Sequence, residues 1–207
     1  MTNNKVANSH FYIRAAILAG AIAFIPLAAH AQSVGGAHVE VQGGYDHLSI
    51  PDQTGTAPAG STGGGHGIYG FGAGYDVALA GHVIAGVDAN LDFGAGSQCA
   101  SGVVAASDQL CSKLRNDFDV GARLGYQAGP ALLYGRVAFN DTHVRSSYTD
   151  PLGNVTTARG SQQGVRLGVG GEYGLGGGAY LKTEYRYTPS SQLGDQQQVI
   201  GGIGLHF

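Results

Sequence analysis

The sequence predicts an all-β protein: an eight-stranded antiparallel, transmembrane up-and-down β-barrel, preceded by a cleavable signal peptide. Three observations predict this fold. Eight stretches alternate in polarity with charge on only one of their two faces, their connections alternate between short and long, and an apolar export-type segment opens the chain. Successive side chains of a strand point to opposite faces of the sheet. One face of the predicted sheet therefore meets apolar surroundings and the other meets polar ones.

The N-terminal segment, residues 1–31, has the features of a secretory signal. Lys5 and Arg14 supply positive charge, and an apolar run extends from Ala15 to Ala29. Ala29 and Ala31 flank His30 in a small-x-small pattern, which predicts cleavage after Ala31. The alternative is a retained N-terminal anchor, but the run is shorter than the roughly 20 apolar residues of a membrane-spanning helix. We expect a signal peptide over 1–31 and a barrel domain over 32–207.

The eight predicted strands all have the same polarity. Their bounds are 37–47, 67–76, 82–94, 115–126, 131–140, 163–173, 179–187 and 197–207. Their uncharged faces run through Val39–Tyr45, Tyr69–Tyr75, Val83–Phe93, Phe118–Tyr126, Leu133–Phe139, Val165–Tyr173, Leu181–Tyr187 and Val199–Phe207. A soluble sandwich buries its apolar faces between two sheets, and eight such strands would then leave a large polar interior. A closed barrel in lipid, apolar outside and polar inside, avoids this conflict.

The connections indicate which way the barrel lies in the membrane. Residues 77–81, 127–130 and 174–178 are short, whereas 48–66, 95–114, 141–162 and 188–196 are long and polar. Short periplasmic turns and long external loops are typical of outer-membrane barrels. Outward aromatic residues fall at both ends of the strands, where the barrel crosses the two interfaces. Those at the short-turn ends are Tyr75, Tyr126, Tyr173 and Phe207, and those at the long-loop ends are Tyr45, Tyr69, Phe93, Phe118, Phe139 and Tyr187.

Charge and cysteine content exclude several classes of protein. Without Lys5 and Arg14 the chain has a net charge of −5, which argues against a nucleic-acid partner. Cys99 and Cys111 lie in one predicted loop, and export places them where a disulfide forms. Two thiolates alone do not complete a zinc shell, and no histidine pair has metal-ligand spacing on a common strand face. We therefore expect no metal and no cofactor.

Three segments carry a resemblance to a known family. Ile203, Leu205 and Phe207 in the last strand resemble the C-terminal signal that the outer-membrane assembly machinery recognises. Tyr180–Tyr187 and Gly168–Tyr173 resemble strands of the small outer-membrane β-barrel family, which includes OmpA- and OmpX-like barrels and the opacity and porin-like surface proteins of alphaproteobacteria. The resemblance implies export through the general secretory route to the outer membrane of a Gram-negative bacterium. It also implies contact with outer-membrane lipid, lipopolysaccharide, periplasmic chaperones and the assembly machinery, and a monomer.

The predicted interior contains both signs of charge. The inward acidic residues are Glu40, Asp88, Asp119, Glu172 and Glu184, and the inward basic residues are Arg123, Arg136, Arg166, Lys182 and Arg186. An eight-stranded barrel is just filled by its side chains, and buried charges must be paired. We expect an ion-pair network in which Glu40, Glu172 and Glu184 face the four arginines. The alternative is a narrow porin-like pore lined by the same charges.

The predicted function is that of an integral outer-membrane protein, not an enzyme, that serves envelope structure and surface interaction. Loops on a rigid scaffold are where recognition sits, so 95–114 and 141–162 are the candidates for contact with host surfaces or lipopolysaccharide. A purely structural role competes, and it predicts envelope defects that do not depend on loop sequence. The enzymatic alternative is a lipid-modifying hydrolase, which needs a serine and a histidine held by a carboxylate. Only His143 with Asp141 and Ser146 or Ser147 has these types locally, without a supporting motif.

Overall fold

The computed structural model describes residues 35–49, 64–101, 107–189 and 195–207. The predicted signal peptide, with Ala29 and Ala31 at its cleavage site, lies outside the described residues. Most of the predicted loops 48–66 and 188–196 also lie outside them. The described part of the chain contains no helix long and apolar enough to span a membrane.

The described residues form nine strands. They are β1 (Gly36–Ser49), β2 (Gly64–Ala78), β3 (Val83–Ala95), β4 (Gln98–Ser101), β5 (Gln109–Ala128), β6 (Ala131–Thr149), β7 (Val155–Gly176), β8 (Ala179–Thr188) and β9 (Asp195–His206). All except β4 form one closed antiparallel barrel, in which β3 pairs with β5 and β9 pairs with β1. The predicted eight-stranded barrel is confirmed, and β4 is a short addition that pairs only with the start of β5.

Strand β6 shows why the sheet closes with its apolar face outward. Its side chains alternate strictly between buried and exposed along most of its length. Leu133 and Val137 are 63% and 53% exposed on the outer face, whereas Leu132 and Arg136 are buried inside. The apolar outer face is exposed in the isolated chain, and in a membrane it would contact lipid. The buried interior of the barrel is therefore largely polar and charged, the reverse of a soluble protein.

The two ends of the barrel differ in their connections. Three short turns, 79–82, 129–130 and 177–178, join strands at one end, and Gly129 and Gly177 take left-handed φ values of 61° and 63° there. Without a Cβ, glycine adopts this conformation at no steric cost. Outward Tyr75 and Tyr126 are exposed at this end, and outward Tyr45 and Phe118 are exposed towards the other.

The predicted long loops 95–114 and 141–162 are mostly β-structure, which corrects the sequence-based assignment. The barrel sheet continues past the apolar band as β4 and the parts of β5, β6 and β7 beyond Asn116, Asn140 and Gly164; we call this the external sheet. These segments are mostly polar on both faces, with Leu114 and Val144 as inward apolar exceptions, so the regular alternation that predicts a strand is missing. One local sequence cue does mark this region, because an Asp-Pro-x-Gly string favours a tight turn. The structure has that turn at Asp150–Asn154, where Gly153 has a φ of 87°.

Candidate functional site

The lumen of the barrel is the first candidate site. Inward strand positions place all ten sequence-predicted charged residues there, and each is buried. They are Glu40, Asp88, Asp119, Arg123, Arg136, Arg166, Glu172, Lys182, Glu184 and Arg186. Because the two apolar clusters inside the barrel are small, contacts among charged groups hold opposite walls of the barrel together.

Asp119 on β5 is the centre of one group of ion pairs. Its carboxylate accepts hydrogen bonds from Arg136 and from Nη1 of Arg166, the latter at 2.8 Å. Arg136 Nε also donates to Asp88 at 2.6 Å, and Arg166 Nη2 donates to Asp117 at 2.5 Å. This group links β3, β5, β6 and β7 across the lumen, and hydrogen-bonded pairing of this kind is what buried charges require.

A second group is built around Glu184 on β8. Arg186 Nε donates to Glu184 at 2.6 Å and its Nη1 to Asp92 on β3 at 2.8 Å. Lys182 Nζ lies 3.0 Å from Glu184 and 2.6 Å from Glu40 on β1. The Tyr134 hydroxyl donates to Glu184 at 2.7 Å. These contacts join β8 to β1, β3 and β6.

A third group lies near the short turns. Arg123 donates through Nε to Asp76 at 2.9 Å and through Nη1 to Glu172 at 2.5 Å, so it bridges β2 and β7. Its guanidinium carbon lies 5.2 Å from the centre of the Tyr134 ring, within the range of a cation–π contact. His206 Nε2 lies 3.3 Å from the second oxygen of Glu172.

The pairing differs in detail from the sequence-based expectation. Glu172 meets Arg123 and Glu184 meets Arg186, but Glu40 meets Lys182 instead of an arginine. Arg136 and Arg166 meet aspartates, not glutamates. The sequence reasoning missed the lumen residues Asp46, Asp76, Asp92 and Asp117, all of which are 1% exposed or less. The two-residue period of the strands could have predicted that these four side chains point inward. It could not have predicted their partners, because these depend on how far each tilted strand is staggered along the barrel axis.

Inward glycines leave room for this network. A Cβ on Gly72 would lie 2.5 Å from Glu40 Oε1 and 2.7 Å from Asn90 Oδ1. Both distances are below normal contact, so the neighbouring polar side chains would have to move. Glycine inside a strand is otherwise unfavourable, and here the lost strand propensity is offset by space for long charged side chains.

The second candidate site is the external sheet. Cys99 on β4 lies directly opposite Cys111 on β5, and their sulfur atoms are joined in a disulfide with a Cα–Cα distance of 4.0 Å. The bridge ties the edge strand β4 to β5. A covalent link at this edge limits the freedom of the sheet where no lipid or lumen contact holds it.

The outer face of the external sheet carries a row of basic residues. Lys113 on β5 lies opposite Arg145 on β6, which in turn lies opposite Arg159 on β7. All three are exposed, and Arg115 is exposed at the adjacent bulge in β5. Within the part of the chain that the structure describes, no carboxylate lies within 4.0 Å of the three aligned residues. Like charges on directly opposite strand positions repel, so this row is a concentrated patch of positive charge.

A comparison of this sequence with known protein families identifies the family to which the chain belongs. Residues 16–207 match the family described as "Outer membrane protein beta-barrel domain". The chain belongs to this family. Its members are outer-membrane barrels, which agrees with the apolar outer face and the closed eight-stranded sheet.

Solved structures of other outer-membrane barrels share the fold of this one. The attachment invasion locus protein Ail of Yersinia pestis is 13% identical, with 84% of this chain and 99% of that chain covered and a TM-score of 0.51. Neisserial surface protein A is 14% identical, with 83% and 97% covered and a TM-score of 0.50. At these identities the likeness concerns the fold alone. A comparison with curated protein sequences gave no significant match.

The candidate hydrolase residues of this outer-membrane barrel are not brought together. His143 lies within β6 instead of a loop, and its Nδ1 is 3.7 Å from Asp141. Ser146 is on the opposite face of the strand, and Ser147 is four residues along it, roughly 13 Å away. The serine opposite His143 in the sheet is Ser161 on β7, which the sequence reasoning did not consider.

Asp150 organises the tip of the external sheet. Its Oδ1 accepts hydrogen bonds from the backbone N–H groups of Leu152 and Asn154, at 2.9 and 2.8 Å, and its Oδ2 accepts one from Asn154 Nδ2 at 2.8 Å. Hydrogen bonds from the side chain and backbone of Asn154 hold the pKa of Asp150 below its ordinary value, because they favour the charged carboxylate. The hairpin between β6 and β7 is therefore closed by an ionised aspartate at neutral pH.

Proposed function

We propose that this outer-membrane barrel is an integral envelope protein whose lumen is closed by side chains and whose external sheet binds anionic groups of lipopolysaccharide. The observation that carries the surface role is the basic row Lys113–Arg145–Arg159. No enzymatic activity forms part of the proposal. Ligands on host surfaces are the alternative partners of the same external sheet.

The position of the basic row fits lipopolysaccharide. Arg145 lies six residues beyond Phe139, the last outward aromatic residue of β6. At about 3.3 Å per residue and a strand tilt of about 40°, the row stands roughly 15 Å above the edge of the apolar band. Phosphate and carboxylate groups of the lipopolysaccharide sugars lie on this outer side of the membrane. Clustered arginine and lysine side chains bind such groups through charge-assisted hydrogen bonds.

The experiment compares the triple variant Lys113→Gln, Arg145→Gln, Arg159→Gln with a control, Thr157→Ala, Ser161→Ala, Gln163→Ala, on the same face. Purified protein in detergent is titrated with lipopolysaccharide and with dephosphorylated lipopolysaccharide. We expect the triple variant to bind lipopolysaccharide at least about 10-fold more weakly, and the unaltered chain to lose affinity as salt rises. Equal affinity of the triple variant and the control would refute the lipopolysaccharide role.

A closed lumen is supported by the ion pairs that cross it. Arg123, Arg136 and Arg186 each contact carboxylates on more than one strand and are at most 4% exposed. Purified protein in liposomes should give no large, steady ion conductance. Sustained conductance would instead favour the narrow porin-like pore.

The proposed assembly partners and the proposed lack of enzymatic activity are tested in cells. Ile203, Leu205 and Phe207 are 49%, 46% and 72% exposed on the outer face, where chaperones and the assembly machinery would reach them. Deleting Phe207 should lower the folded fraction in the outer membrane. Lipid A from a deletion strain should keep its acyl chains, and a changed acyl pattern would favour the hydrolase. Envelope defects that persist when the external sheet is replaced would favour a purely structural role.

A further inference from the structure

Closure of the barrel brings two histidines together near the short turns. His38 on β1 and His206 on β9 are directly opposite each other in the pairing that closes the sheet. Their rings are 5.4 Å apart between centroids, and their side chains are only 2% and 7% exposed. Asp76 on β2, also buried, lies beside His38. The sequence predicts no metal-ligating histidine pair, since no two histidines have metal-ligand spacing on one strand face; His38 and His206 meet only when the first and last strands pair.

Two ring nitrogens in this cluster lack hydrogen-bond partners. Among the described residues, Nδ1 of His38 and Nδ1 of His206 are buried and make no hydrogen bond. His38 Nδ1 lies 3.3 Å from an oxygen of Asp76, but without the geometry of a hydrogen bond. Buried polar atoms are almost always satisfied, and each exception calls for a physical reason. A ligand that accepts lone pairs from both nitrogens is such a reason.

We propose that His38, His206 and Asp76 form a divalent transition-metal site, with Zn²⁺ as the preferred ion. One donor atom from each residue lies within 4.8 Å of the others. Tetrahedral zinc needs ligand atoms roughly 3.3 Å apart, from bond lengths of about 2.0–2.1 Å, so small side-chain rotations bring the three into range. Two imidazoles and a carboxylate leave a fourth position for water, a ligand set that zinc commonly takes.

The surroundings of His206 support the proposal. Its Nε2 lies 3.3 Å from Glu172, and a proton held there leaves the lone pair on Nδ1, as in carboxylate–histidine–zinc arrangements. A cavity of about 20 Å³ beside His206, Glu172 and Tyr180 is large enough for one water molecule. It lies at the short-turn end of the barrel, so an ion would enter from the periplasmic side.

The local charge also favours a cation. Asp76 and Glu172 carry two negative charges against the single positive charge of Arg123, which contacts both. A carboxylate has lone pairs for more than one partner, so Asp76 can keep its contact with Arg123 while binding the ion. Arg123 lowers the affinity by repulsion, and we therefore expect binding in the micromolar range instead of the tighter binding of an enzyme zinc site.

The test uses the full chain, refolded in detergent and titrated with Zn²⁺ by calorimetry, with metal content measured after dialysis. One Zn²⁺ per chain is expected, and Co²⁺ in its place should show the visible bands of a tetrahedral site. His38→Gln and His206→Gln should each lower the affinity at least 100-fold. His143→Gln, an exposed histidine on β6, is the matched control and should bind as the unaltered chain does.

A second measurement needs no variant and covers the case in which the histidine substitutions prevent folding. Addition of Zn²⁺ should shift the imidazole NMR signals of His38 and His206 but not those of His143. The proposal is overturned if the unaltered chain shows no saturable binding, if the two variants bind like the control, or if Zn²⁺ leaves the imidazole signals of His38 and His206 unchanged.

Discussion

Neutralising Asp119 tests the ion-pair core directly. Asp119 is fully buried and accepts hydrogen bonds from Arg136, Arg166 and Asn90, with Arg186 4.0 Å away. In Asp119→Asn the side-chain volume is kept, but the guanidinium groups lose a shared counter-charge. Each arginine retains another carboxylate, so the loss is not total. Breaking a buried pair costs about 3–5 kcal/mol, and we expect the free energy of unfolding to fall by this amount.

The assay is equilibrium urea unfolding in lipid vesicles, followed by circular dichroism and by the heat-dependent mobility shift of folded barrels on gels. Asp141→Asn is the control, since Asp141 is partly exposed, accepts a 3.3 Å hydrogen bond from Gln163 and lies 3.7 Å from the exposed His143; it should cost less than about 1 kcal/mol. Adding Arg136→Gln to Asp119→Asn should cost less than the sum of the single changes, because the two groups interact. If Asp119→Asn and Asp141→Asn agree within about 0.5 kcal/mol, the lumen is screened by water and the reasoning is refuted.

Three further predictions follow from other parts of the molecule. Gly72→Val should reduce the folded fraction on gels, because its side chain would overlap Glu40 and Asn90, whereas Gly135→Val should not, because a Cβ at Gly135 meets nothing within 4 Å. Cys99→Ser should speed proteolysis of the external sheet but leave the barrel intact, and it should abolish the mobility difference between reduced and non-reduced samples; an unchanged pattern would mean that the cysteines are not bonded. Because the folded-state pKa of Asp150 is lowered, its contribution to stability is present at neutral pH and is lost as pH falls through that lowered pKa. Asp150→Ala should therefore speed tryptic cleavage at Arg145 and Arg159 at neutral pH, with Leu152→Ala, at an exposed position, as the control; equal cleavage rates would count against the capping role.

The external sheet shows where local pattern stops predicting structure. Alternation predicts a strand only when the two faces meet different surroundings, and this holds for the eight barrel strands within the lipid band. Beyond Asn140, β6 is mostly polar on both faces, so nothing in its residues distinguishes a paired strand from a solvated loop. Backbone pairing with β5 and β7 continues regardless, since it depends on neighbouring strands and not on side-chain polarity.

The sequence by itself determined the number of barrel strands, the face of each that meets lipid, and ten of the charged residues that lie in the lumen, because the two-residue period of a strand is a local property. Only the tertiary structure decided which charges meet. Glu40 with Lys182, Arg123 between Asp76 and Glu172, and His38 opposite His206 all join distant parts of the chain. Their partners are set by the closure of the barrel and the stagger of its tilted strands, and no local pattern records that stagger.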